Sequence, residues 1–111
     1  MTLVFDIDGT ICRKPKELDY SDSEPIVERI QEINNLYERG HTIIFLTARG
    51  MGRFNNDAEK AEAEFRDLTV AQLKEWGVLY HQLFLGKPSG DYYIDDKGIR
   101  DVDYFRNDTC K

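Results

Sequence analysis

The sequence predicts one α/β domain, a three-layer α/β/α sandwich on a mainly parallel sheet with no separate cap domain. Three observations predict it. Runs of β-formers alternate with helix-forming segments, the order expected when strands are joined by helical crossovers. Each run delivers polar residues to its end: TLVF leads to Asp6 and Asp8, HTIIFLT ends in Thr47, and DYYIDD ends in Asp95 and Asp96. Finally, 111 residues supply one core but no substantial lid, so residues 1–111 read as a single domain.

The first stretch sets the chemistry. Residues i and i+2 of a strand share a side, so Asp6 and Asp8 converge at the strand end, and Gly9 permits a sharp exit. Two acids in one small volume need a cation, a shared proton or different tasks. They read as a nucleophile and a general acid.

Residues 11–23 are polar, contain Pro15 and have no period, which makes them a flap loop. Arg13, Lys14 and Lys16 are either phosphate guides or solvated loop charges. A helix follows, opened by Ser21 or Ser23 with Glu24 and Pro25 in its first turn and closed by Gly40. Its stripe is Ile26, Ile30, Ile33 and Tyr37. His41 to Thr47 is continuously apolar up to its end, as in a parallel strand buried on both faces. A right-handed crossover then lands Thr47 beside Asp6 and Asp8, where Thr47 is either a ligand or a turn cap.

Residues 58–65 form a charged helix, and Thr69 with Gln72 reads as a capping box that restarts a second helix ending at Trp76 and Gly77. Two helices exceed what the crossover needs, so 50–65 is read as a small helical insertion near the site. Arg49 and Arg53 are candidate substrate contacts, or partners of the Glu-rich helix. Gln82 to Leu85 is a short strand. The Gly86-Lys87 pair does not make a nucleotide-hydrolase phosphate loop, because His81 and Pro88 stand where that motif wants Gly and Ser or Thr. Asp91 to Asp96 repeats the opening pattern as a strand. Only Gly86 to Asp91 joins these two strands, where a parallel crossover ordinarily takes a dozen residues. Val102 to Phe105 is a short closing helix or strand.

Composition narrows the partners. Hydrophobic residues at 41% and charged ones at 32% suit a soluble globular chain. A net charge of −6 argues against nucleic acid held by bulk electrostatics. There is no leader-like N-terminus and no window of about 18 apolar residues, so the expectation is a cytoplasmic protein without a membrane partner. The two cysteines, Cys12 and Cys110, read as thiols, and Leu18 replaces the Arg that a thiol phosphatase would need after Cys12.

Asp6, Asp8, Thr47, Lys87, Asp95 and Asp96 all fall at ends of predicted parallel strands, the edge where open α/β sheets bind ligands. Four acids, a hydroxyl and an ammonium suit a magnesium-assisted reaction at a phosphoryl group. The set DIDGT, then FLTAR, then a Lys before a strand ending IDD resembles the haloacid dehalogenase superfamily of phosphatases, whose sheet is Rossmann-like. The segments TARGM and GKPSGDYYIDD resemble its small members associated with capsular or surface polysaccharide synthesis.

This resemblance implies that Asp6 attacks phosphorus and carries an aspartyl phosphate, while Asp8 serves as acid and then base. It implies that Thr47 and Lys87 hold the phosphoryl oxygens. Magnesium would be bound by Asp6, the Asp8 carbonyl, Asp95 and Asp96, with Asp101 a more distant candidate. The short 11–23 loop implies a capless member whose open site borrows specificity from the flap, the insertion or another subunit, so a homo-oligomer fits. The expected substrate is a small sugar phosphate. The alternatives are a nucleotide or nucleic-acid-end phosphatase of the same fold, a receiver-like phosphoacceptor, and a non-catalytic metal-binding domain.

Overall fold

The computed structural model describes residues 1–13 and 19–105. Strand β1 (Thr2–Phe5) is followed by a two-residue strand β2 (Cys12–Arg13), which pairs antiparallel with β3 (Glu24–Pro25). Then come helix α1 (Val27–Glu38), strand β4 (Thr42–Thr47), helix α2 (Ala58–Glu75), strand β5 (Gln82–Leu85) and the short helix α3 (Asp101–Tyr104). The main sheet is parallel, in the order β1-β4-β5. The chain is thus a small α/β protein on a parallel sheet.

Because the sheet grows in one direction, right-handed crossovers place α1 and α2 over the same face. The burial pattern agrees. Phe5, Ile43, Phe45 and Leu83 share that face, are buried, and form one core with Ile30, Ile33, Leu73 and Phe105. On the opposite face Val4 is 57% and Phe84 48% exposed, and Ile44 and Leu46 are only half-buried. The expectation that β4 is buried on both faces is corrected here: no element of the described residues covers its second face.

Three further sequence expectations change. Helix α1 does not begin at Ser21 or Ser23: Glu24 and Pro25 pair with Cys12 and Arg13, and Ile26 takes the N-cap position. The strands Cys12–Arg13 and Glu24–Pro25 offer the backbone a better partner than a first helical turn. The break between 65 and 69 is absent, since α2 is one 18-residue helix capped by the Asp57 side chain on Glu59 and Lys60 N–H groups. Residues 58–65 therefore belong to the crossover helix, not to an insertion. Finally, Asp91 to Asp96 forms no strand, and every residue from 91 to 100 is exposed.

The chain returns at α3, where Arg29 donates to Asp101 (2.7 Å) and to the Thr10 carbonyl (3.0 Å). That ion pair assigns Asp101 a structural place. Phe105 packs on Phe5 with ring centroids 6.0 Å apart, beneath the Arg29 guanidinium.

Gly50 and Gly40 separate two costs of a positive φ. Both are left-handed (+79° and +93°), but a Cβ at Gly50 would lie 2.6 Å from the Phe65 ring, whereas one at Gly40 meets nothing within 4 Å. Urea unfolding should show Gly40→Ala losing about 1 kcal/mol. Gly50→Ala should lose a further ~1–3 kcal/mol for overpacking. Equal losses would refute the packing assigned to Gly50.

Candidate functional site

The site sits where β1 ends. Ile7 turns into the core, fully buried, so Asp6 and Asp8 on either side of it face the C-terminal rim, and Gly9 leaves with φ +83°. Phe5 pairs with Phe45, which sets Thr47 level with position 7 on the neighbouring strand. The Lys87 N–H continues the β4–β5 ladder by donating to the Thr47 carbonyl (3.2 Å). Its ammonium reaches back over β4 to within 3.9 Å of Asp6 Oδ1, with the Tyr93 ring 4.3 Å away on another side. Asp6, Asp8, Thr47 and Lys87 thus meet at one rim.

Arg49 has a different role from the one its position suggested. It is buried, not open to a substrate. Nε and Nη2 donate to Asp8 Oδ2 and Oδ1, each at 3.0 Å, forming a two-pronged ion pair. Nη1 donates to Thr69 Oγ1 (3.2 Å) and Gln72 Oε1 (2.6 Å), and the guanidinium lies 4.9 Å from the Tyr20 ring centroid. Gln72 in turn donates to the Tyr20 carbonyl (2.6 Å), and the Gly50 N–H donates to Tyr20 Oη (3.2 Å). Burying a guanidinium is tolerable because its donors have partners and its face has a ring.

Thr69 and Gln72, read from sequence as a capping box, are mid-helix residues that cradle this arginine. Their pairing with Arg49 is the feature sequence reasoning missed. The available signal was two polar residues beside Leu73 on the side of α2 that faces the protein.

The Thr47 hydroxyl accepts the Arg49 N–H (3.2 Å), which is the turn-cap alternative stated for it. Arg53 lies over Phe65 (5.5 Å) at the mouth of a pocket of about 200 Å³ lined by Tyr20, Gly50, Gly52, Arg53 and Phe65. Of the flap cations, Arg13 reaches Glu24 at 4.0 Å in solvent, and Lys14 and Lys16 lie outside the described residues.

Asp95 and Asp96 lie in the exposed 91–100 stretch, two and three residues after the Tyr93 that packs against Lys87. Asp95 Oδ1 accepts the N–H groups of Lys97 (2.8 Å) and Gly98 (2.5 Å), and these bonds hold its carboxyl below the usual carboxylate range. Asp96 is exposed beside it. Among the described residues no three His, Cys, Asp or Glu side chains converge as a metal-holding group. Both Asp8 side-chain oxygens are committed to Arg49. The Arg49 pair engages the Asp8 side chain, whereas the expected magnesium ligand from this residue is its backbone carbonyl, so the pair does not bear on that site.

No protein-family profile and no curated protein matches the chain. Its fold is similar to the crystal structure of a structural-genomics target from Vibrio cholerae, with a TM-score of 0.85 and 25% identity, covering 93% of this chain and 85% of that one. Among the described residues no helix is long and apolar enough to cross a membrane.

Cys12 lies under the site, fully buried, with its thiol 3.5 Å from Asp8 Oδ1. It is a free thiol; Cys110 lies outside the described residues. Burial first, and then the Asp8 charge, raise its pKa from 9.0 to about 12. The native thiol stays protonated where an unfolded one ionises. Its stabilising contribution is therefore complete below pH ~9 and lost as pH rises toward 12. Iodoacetamide at pH 8.5 should spare the Cys12 peptide in the folded protein and label it after unfolding. Equal labelling in both states would contradict this burial.

Proposed function

We propose that the chain is a phosphomonoester hydrolase that works through an aspartyl phosphate on Asp6. The observation that carries this is the Lys87 ammonium 3.9 Å from Asp6 at a strand-end rim that also holds Asp8 and Thr47. An Asp6 oxygen attacks phosphorus, a new P–O bond forms, and the ester P–O bond breaks. Asp8 protonates the leaving oxygen and then takes a proton from the water that hydrolyses the intermediate. Lys87 offsets the phosphoryl charge and orients Asp6, and the Thr47 hydroxyl, which accepts the Arg49 N–H, keeps its own O–H to donate to a phosphoryl oxygen. The substrate class proposed is a small sugar phosphate of polysaccharide synthesis, with the Arg53 pocket receiving the part of the molecule beyond the phosphate. Magnesium enters this reading only if further carboxylates join Asp6.

One observation favours a second reading. Both oxygens of Asp8 accept from Arg49, so its carboxyl reaches a leaving oxygen only in the orientation that this ion pair holds. If that orientation is unproductive, phosphate stays on Asp6 and the domain behaves as a phosphoacceptor. The lifetime of the aspartyl phosphate separates the two.

A panel of phosphorylated sugars, nucleotides and oligonucleotide ends, assayed with magnesium, tests the proposal. Asp6→Asn should abolish phosphate release, and Asp8→Asn should slow it by roughly 100-fold or more. Parental rates in Asp6→Asn would refute the nucleophile.

A further inference from the structure

Residues 86–100 contain no helix or strand, yet their first half is tied down. Gly86, with φ +96°, turns the chain at the end of β5, and the Lys87 N–H then donates to the Thr47 carbonyl. The Ser89 N–H donates to Asn56 Oδ1 (2.8 Å), and the Asn56 N–H donates in turn to the carbonyl of the buried Met51 (2.7 Å). Tyr93 closes the stretch on itself: its Oη donates to the Pro88 carbonyl (2.7 Å) and accepts the Gly90 N–H (3.2 Å). These bonds do not bury Tyr93, which is 53% exposed. What they do is fix its ring against Lys87, whose ammonium lies 4.3 Å from the ring centroid and 3.9 Å from Asp6 Oδ1.

Between those two groups the ammonium has a defined place. A lysine side chain is a flexible four-carbon stem whose charged end wanders unless something holds it. Attraction to Asp6 does not fix it alone, since 3.9 Å is longer than a hydrogen bond. An aromatic face within about 6 Å attracts a cation through its quadrupole, yet it carries no net charge. A carboxylate in the same place would pin the lysine more tightly, but it would cancel the positive charge and repel an incoming phosphate. The ring holds the ammonium and leaves its charge to whatever anion reaches the rim. The neighbouring Tyr92, 85% exposed, makes no ring or hydrogen-bond contact through its side chain among the described residues, so the pair of tyrosines is not interchangeable.

We propose that Tyr93 is a positioning residue for Lys87: its ring, fixed by the bonds to Pro88 and Gly90, keeps the ammonium beside Asp6 before a substrate arrives. A phosphoryl group then meets a cation already in place, and the ordering of the lysine stem is not drawn from the energy of binding. This kinetic consequence rests on the phosphatase reading, whereas the holding of the ammonium by the ring does not.

The first test is independent of activity. In a carbon–proton NMR spectrum of the unliganded chain, the ε-CH2 signal of Lys87, identified by its loss in Lys87→Met, should lie upfield of the other lysines because of the Tyr93 ring current. It should move to the common lysine position in Tyr93→Leu and stay upfield in Tyr93→Phe, which keeps the ring. A Lys87 signal at the common position in the parent overturns the proposal. In the phosphatase assay Tyr93→Leu should lower kcat/KM by about two- to five-fold, the scale of an exposed cation–π contact. Tyr93→Phe should lose less than Tyr93→Leu, and Tyr92→Leu should keep the parental rate. An active parent matched by Tyr93→Leu, or a Tyr93→Phe as slow as Tyr93→Leu, overturns the positioning role. The urea midpoint of Tyr93→Leu should equal the parent's; a lowered midpoint beside a lowered rate makes the residue structural and overturns it too. An inactive parent whose Lys87 signal is upfield in the Tyr93-dependent way sinks the phosphatase reading and leaves the holding of the ammonium standing.

Discussion

The buried pair of Arg49 and Asp8 is the constraint on which the rest of the site depends. One guanidinium ties together the end of β1, the turn after β4, the middle of α2 and the Tyr20 segment. Coulomb attraction alone does not make such a pair favourable, because desolvating both charges costs several kcal/mol. What makes it tolerable is saturation: both Asp8 oxygens, Thr69, Gln72 and the Tyr20 face all meet the same cation. The consequence is geometric. Asp8 is held in one orientation, and Asp6, one residue beyond the buried Ile7, is fixed with it beside Lys87.

The same pair shapes the chemistry open to the site. The two donors fix the Asp8 carboxyl in one orientation and leave only its remaining lone pairs open. Cys12 beneath it is too deeply buried to compete as a nucleophile, although its thiol touches the same carboxyl.

Local pattern made much of this legible. The β-forming runs of β1 and β4, each ending in polar residues, are enough to place two strands, and the handedness of crossovers puts Thr47 level with the acids. Asp6, Asp8, Thr47 and Lys87 were found because strand ends are where polar residues break an apolar run. What failed, failed for identifiable reasons. Thr69 and Gln72 mimic a capping box because the same residue types serve a buried arginine from mid-helix. Asp91 to Asp96 has strand composition, but composition says nothing about whether the preceding linker can reach a sheet edge. That no described element covers the second face of β4 was hidden because Ile44 and Leu46 are apolar whether or not anything covers them. The place of Arg49 after a strand end fits a substrate contact as well as a partner of the helix that follows, and only the tertiary structure turns it inward onto Asp8, Thr69 and Gln72.

The most direct measurement of the central claim is a double-mutant cycle between Arg49→Met and Asp8→Asn, followed by urea unfolding. For a partly buried, two-pronged pair the coupling energy should reach about 2 kcal/mol or more, with each single change costing more than the double change would suggest. Coupling below about 0.5 kcal/mol would mean that the two residues stabilise the fold independently, and the account of the site as built on their pairing would be wrong.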